Sequence, residues 1–274
     1  MVVHVPLLAH RGLLDLEFYW TLEAVQKTLF DWELTPFIYG NGQESLVNRG
    51  RNAAATGVYY DEDASHLLFL DTDMQVPESA IQRMFHVDAP VVGVAYPTKV
   101  FDFTKDDTYS KWAEELREKA PKLYSEIPPE LREALTVQFA GAPSGTGIKK
   151  VSQTDFAATG CMLIKKEVLV ALVERGKAKA YNTPHSAYSV LSGGREHYNF
   201  FPTEVHNKTL ESEGQGFCRL CRELGIDIRL ITDEIVSHIG KRAYKGNLFK
   251  QMKFHYRNQT ISEEDIRNAV GLLN

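Results

Sequence analysis

The chain has 274 residues, 43% hydrophobic and 24% charged, the balance of an ordinary water-soluble protein with room for one large α/β domain or two small ones. A formal net charge of −5 creates no global demand for nucleic acid or membrane, and no apolar run approaches the roughly 18 residues of a membrane span. Three cysteines are too few for a disulfide framework, and Met1-Val2-Val3-His4-Val5-Pro6 lacks the features of a secretory signal, so a reducing cytoplasm is the expected home.

Val2–Leu8 is an apolar run that predicts a buried first strand, ending near Pro6. Leu14, Phe18, Leu22, Val25 and Leu29 then recur at helical spacing across Leu14–Phe30. Thr35–Tyr39 reads as a second strand, closed by the turn Gly40-Asn41-Gly42. Ser45–Tyr60 reads as a helix capped by Ser45, with Asn48, Arg49, Arg51 and Asn52 in its first turns. His66–Leu70 is a third strand and runs into Asp71-Thr72-Asp73; Pro77 opens a helix to about Phe85, and Pro90–Ala95 is a further strand.

Strands alternating with helices argue for a mostly parallel sheet with helices on both faces. Such sheets carry ligands beyond the carboxyl ends of their strands, where Asp71 and Asp73 fall.

Past Phe101 the pattern loosens. Asp106–Lys119 and Pro128–Leu135 read as helices, and Gly141–Gly147 as a small-residue loop that lacks the Gly-Lys-Ser/Thr ending of a phosphate loop. Thr154–Ile164 returns as an apolar strand, followed by helix Lys166–Arg175. Lys177–Leu210 reads as long and irregular; His185, His197 and His206 lie in it at no compact zinc spacing, and it is either an acceptor-covering loop or a surface excursion. Helix Gly214–Leu224 and strand Ile226–Ile231 close the core. Cys218 and Cys221 share one face of that helix and, with no second pair to complete a zinc site, read as packed thiols.

Two carboxylates at i and i+2 beyond a buried strand can converge on a divalent cation. Hard cations such as Mg²⁺ or Mn²⁺ take one or two carboxylates plus substrate phosphates. Around this corner lie Gln43-Glu44-Ser45-Leu46-Val47-Asn48-Arg49-Gly50-Arg51-Asn52, then Val91 to Lys99, Phe156 to Ile164, Glu213 with Phe217, Cys218 and Arg222, and His238-Ile239-Gly240. In that order, over about Val2 to Lys245, the set resembles the GT-A glycosyltransferases, especially small family-2-related enzymes of tailed phages and large viruses.

The resemblance implies a GT-A-like, Rossmann-type α/β domain over residues 1–240, with a donor half to about 100 and an acceptor half beyond. Residues 241–274 would be a basic, aromatic C-terminal extension. It implies transfer from a nucleotide-sugar, a UDP-sugar first among them, with Mn²⁺ or Mg²⁺ as cofactor. Asp71, Asp73 and His238 would be the metal-site residues. Pro6, Arg51, Asn52, Asp71, Thr72, Lys99, Gly160, Lys241 and Lys245 would serve the donor. The family's acidic helix commonly begins Ser-Glu-Asp, whereas this one reads Glu211-Ser212-Glu213-Gly214. Glu213 is therefore the expected base, with Glu211 in reserve, and the stereochemical outcome stays open.

From Ile235 to Ser262 there is no acidic residue, while Lys241, Arg242, Lys245, Lys250, Lys253 and Arg257 alternate with Tyr244, Phe249, Phe254 and Tyr256. That mixture suits either a helix packing its rings on the core or a polyanionic acceptor. DNA carrying hydroxymethylated pyrimidines is the acceptor that the phage enzymes suggest. Two other classes stay open: a nucleotidyltransferase, although Val5 to Gly12 is a poor match to its glycine-rich loop, and a non-catalytic nucleic-acid-binding protein on a degenerate scaffold.

Overall fold

The computed structural model describes residues 1–9, 13–40, 46–101, 137–141, 143–144, 149–183, 190–240 and 243–257. The Ser45 cap, helices 106–119 and 128–135, His185, Lys241 and most of the 141–147 loop lie outside these residues.

A seven-stranded sheet forms the centre. Its strands are β1 (Val2–Leu7), β2 (Thr35–Gly40), β3 (Ala64–Leu70), β5 (Val91–Val94), β8 (Val151–Gln153), β9 (Cys161–Lys165) and β14 (Ile228–Ile231), in the order β2-β1-β3-β9-β5-β14-β8. β1 runs parallel to β2 and β3, and β14 parallel to β5; β9 lies antiparallel between β3 and β5, and β8 antiparallel to β14. Five strands thus share one direction, and their carboxyl ends open on the same rim. Proline is tolerated in β1 because Pro6 lies beyond the last residue that pairs with β3.

Alternation along β3 sorts the core into two layers. Leu67 and Phe69 pack on one face with α2 (Val47–Tyr60), α4 (Lys166–Glu174) and α5 (Glu213–Glu223). Leu68 and Leu70 pack on the other with α1 (Phe18–Asp31) and α3 (Glu78–Val87). Helix α1 buries Phe18, Thr21, Ala24, Val25, Thr28 and Leu29, a single helical stripe. It starts four residues later than the spacing predicts, and Leu14 stays exposed.

Two further departures from the expected elements matter. The strand predicted over Thr154–Ile164 begins only at Cys161, because the chain turns through Thr159 and Gly160 before pairing with β3. The stretch Lys177–Leu210 contains two short antiparallel pairs, β10 (Lys179–Tyr181) with β11 (His197–Asn199) and, as a second and tight hairpin, β12 (Val205–His206) with β13 (Thr209–Leu210). Asn207 and Lys208 turn the second hairpin with positive φ, as a two-residue hairpin turn requires.

A second sheet crowns the rim. The two-residue β4 (Met74–Gln75) pairs with β15 (Val236–Ile239), which pairs in turn with β16 (Ala243–Gly246). Beside it, β6 (Tyr96–Phe101) pairs with β7 (Val137–Ala140), and α6 (Leu248–Arg257) follows β16. The boundary expected at 240/241 therefore runs through the β15–β16 hairpin. Among the described residues no helix is long and apolar enough to cross a membrane.

Candidate functional site

Asp71 leaves the end of β3 with its backbone N–H donating to the carbonyl of Gly160, 2.9 Å away, at the entry to β9. This tie fixes the turn that presents the Asp-Thr-Asp carboxylates. Arg51, buried in α2, donates from Nη2 to Asp71 Oδ1 at 2.8 Å and approaches Glu213 Oε1 with Nε at 3.5 Å. Its guanidinium also lies over the Phe69 ring, 5.0 Å from the centroid. Burial works against the charge of Arg51, but Asp71 and Glu213 more than offset it and raise its affinity for the proton.

Glu213 is the first residue of α5. Ser212 caps that helix by accepting from Gln215 N, while the Gln215 side chain accepts from Ser212 N. This reciprocal box sets the helix start, and with it the placement of Glu213. Thr159 Oγ1 donates to Glu213 Oε1 at 3.1 Å, so the turn before β9 and the start of α5 meet beside Arg51. A pocket of about 290 Å³ opens next to this helix start, lined by Asp155, Phe156, Thr209, Glu211, Gln215 and Arg222.

Asp73 belongs to a second group two residues on. Its carbonyl accepts from Ile239 N at 2.7 Å, and His238 pairs with Met74 across β4 and β15. The strand pairing thus brings His238 Nε2 to 3.4 Å from Asp73 Oδ1. Lys99, from β6, donates to the other oxygen, Oδ2, at 2.5 Å. Burial opposes ionisation of Asp73, yet its bonds with His238 and Lys99 pull its pKa down to about 2. Tyr96 joins the two groups: its hydroxyl accepts from Gly160 N at 3.2 Å, and its ring meets His238 edge-on at 5.5 Å. A Cβ at Gly160 would collide with that hydroxyl and stand 2.8 Å from Asp71 Oδ2, so glycine is required by space.

The residues expected from the sequence fall into three sets. Asp71, Asp73, Lys99, Gly160, Glu213 and His238 gather at the rim around Tyr96, while Thr72 fixes the same turn by accepting Asp15 N at its carbonyl, 3.2 Å away. Arg51 is adjacent but buried, with its charge spent on Asp71 and Glu213 rather than presented to a phosphate.

The rest are engaged elsewhere. Asn52 is buried and uses both amide atoms on structure, donating to Asn199 and accepting from Phe201 N. Glu211 pairs with Arg219 Nε at 2.8 Å within a cluster that includes Glu204 and Glu223. Pro6 is buried in β1. Lys245 pairs with Ser237, one residue from His238, so strand alternation turns it to the opposite face. There it lines a separate pocket of about 550 Å³ with Trp20, Lys27 and Glu78.

Thr159 and Tyr96 also belong to the site, yet within their strand segments they carry no separate signal in the sequence. By contrast the Ser212–Gln215 capping box was readable as a Ser-x-x-Gln spacing. All three cysteines are buried free thiols, and Cys218 donates to the carbonyl of Ala157. Among the described residues no three His, Cys, Asp or Glu side chains come together closely enough to hold a metal by themselves.

No family model and no curated protein matches the chain. Among solved structures, A197 from STIV, a viral protein, aligns over 87% of this chain and 85% of that chain, with 12% identity and a TM-score of 0.42.

Proposed function

We propose that the chain is a divalent-cation-dependent glycosyltransferase that moves a sugar from a nucleotide-sugar, a UDP-sugar first among them, to an acceptor hydroxyl. One observation carries this reading. The Nδ1 of His238 lies 2.9 Å from the carbonyl oxygen of Pro97, which can only accept, so Nδ1 bears the proton. In a neutral ring, Nε2 then directs a lone pair at Asp73 Oδ1, 3.4 Å away. A shared proton holds these two atoms together in the hydrogen bond to Asp73, and without that proton the same nitrogen and oxygen are a donor pair of the kind that Mn²⁺ or Mg²⁺ binds.

Asp73 and His238 fit such an ion as its protein ligands, with the remaining positions left to water and the two donor phosphates. When bound, the cation takes up the negative charge that develops on the diphosphate leaving group. The protein supplies the rest. Arg51 and Gly160 hold Asp71 at the rim, where its carboxylate can meet the donor's ribose or a metal-bound water. Glu213, kept in place by Thr159 and Arg51, is the carboxylate that would accept the proton of the acceptor hydroxyl. The acceptor would enter by way of the 290 Å³ pocket beside α5, which Glu211 and Gln215, two residues to either side of Glu213, help to line.

Nucleotide-sugars screened for Mn²⁺-dependent hydrolysis test the reading, followed by transfer to glycans, proteins and DNA bearing hydroxymethylated pyrimidines. Release of nucleoside diphosphate is expected, whereas pyrophosphate would indicate nucleotidyl transfer. Asp73→Ala should lower turnover on the order of 100-fold or more with an unchanged circular dichroism spectrum. Full activity from that variant, or turnover indifferent to a chelator, would overturn the assignment.

A further inference from the structure

The Asp73 carboxylate already has a cation of its own. Lys99 Nζ sits on Oδ2 at 2.5 Å, while Oδ1 faces His238 Nε2 at 3.4 Å, so the lysine holds the oxygen that the histidine leaves. The lysine reaches this position along a prepared path. A Cβ at Gly240 would lie 3.1 Å from Lys99 Cδ, tighter than side-chain carbons usually pack, and in ordinary contact with Cε at 3.6 Å. Gly240 is not among the residues with positive φ, so what glycine supplies there is room for the lysine stem. The two charged side chains remain about one third exposed, 35% for Lys99 and 30% for Asp73, and the ammonium has solvent into which to swing.

Resting on the function proposed above, we propose that Lys99 is a resident counter-cation on Oδ2, which a divalent ion entering between Oδ1 and His238 drives off Asp73. Metal and donor then enter together. A divalent ion on Asp73 repels an ammonium a few ångströms away, so the ion alone gains little by replacing it. A nucleoside diphosphate brings negative charge that attracts the freed ammonium, and the same residue that opposes the metal then holds the phosphates. Binding of metal and nucleotide is thereby coupled, and the coupling is reciprocal.

Free Mn²⁺ measured by electron paramagnetic resonance, with and without UDP, tests this on the full chain. In the wild type, UDP should raise Mn²⁺ affinity about tenfold or more. Lys99→Met should raise Mn²⁺ affinity in the absence of nucleotide by about tenfold and cut the UDP effect to about threefold or less. Gly240→Ala, which crowds the stem without removing the charge, should shift both quantities the same way by less. Nucleotide-dependent Mn²⁺ binding in wild type that is unchanged in Lys99→Met would overturn the lysine's role and leave the transferase reading standing. Absence of Mn²⁺ binding in every variant with every nucleoside diphosphate would remove both.

Discussion

Arg51 is a cation placed where water hardly reaches, and its partners determine what it does. It sits 2.8 Å from Asp71 and 3.5 Å from Glu213, two acids 142 positions apart in the chain. Its planar fork can bridge them, which the point charge of a lysine cannot do with the same geometry. Removing one member of a buried pair costs about 3–5 kcal/mol because the survivor keeps its desolvated charge. Here the survivors would be Asp71 and Glu213, 33% and 18% exposed, and both could recover some hydration. Arg51→Met is therefore expected to lower unfolding free energy by about 2–3 kcal/mol in urea titrations. It should also depress turnover, since Asp71 loses the bond that aims it. Wild-type stability in that variant would mean that the carboxylates do not depend on Arg51. The sequence placed Arg51 near the donor, but a helix position cannot tell whether a guanidinium points to solvent or to the core.

At the level of elements, glycines in α5 separate what packing demands from what it permits. A Cβ on Gly216 would collide with the carbonyl oxygen of Pro202, whereas one on Gly214 would stand 3.2 Å from Thr159 Cγ2 and 3.4 Å from Phe156 Cε2. The first obstacle is backbone and the second is side chain. Gly216→Ala should thus cost about 2–3 kcal/mol, the usual range for overpacking, while Gly214→Ala should cost under about 1 kcal/mol. Equal losses in thermal melts of the two variants would contradict the close approach of α5 to Pro202. The elements that the sequence made legible are those whose pattern is local. The Leu67–Leu70 run, the stripe of α1 and the alternation of strands with helices could all be read from neighbours along the chain. By contrast β4 has two residues, and β15 and β16 have four each. β4 depends on β15, far away in sequence, and the β15–β16 hairpin is too short for a period to announce it. The meeting of Asp73 with His238 depends on that pairing, and only the ordered resemblance pointed to it before the strands were known.

On the scale of the whole molecule, the last described segments are part of the architecture around the site. β16 completes the strand that carries His238, pairing Val236–Ile239 with Ala243–Gly246. Leu248 is buried in the core with α2, α4 and α5, Asn247 donates to the carbonyl of Asp233, and Phe249 N donates to the carbonyl of Thr232. Asp233 in turn holds Arg83 of α3 at 2.5 Å, so the chain beyond β15 is tied to both layers of the sandwich. A chain ended after Gly240 would lose this strand ladder, one buried leucine worth about 2 kcal/mol, and several hydrogen bonds at about 1 kcal/mol each. A total near 4 kcal/mol corresponds to roughly 10 °C, at about 2–4 °C per kcal/mol for chains of this order of size. Calorimetry of the truncated chain should show that drop. Mn²⁺ binding in the presence of UDP should weaken alongside it, because the strand that sets His238 against Asp73 would keep only its two-residue partner β4. A melting temperature within about 2 °C of the full chain, with Mn²⁺ binding intact, would instead make residues 241–274 a separable appendage and leave β4 alone to position the histidine.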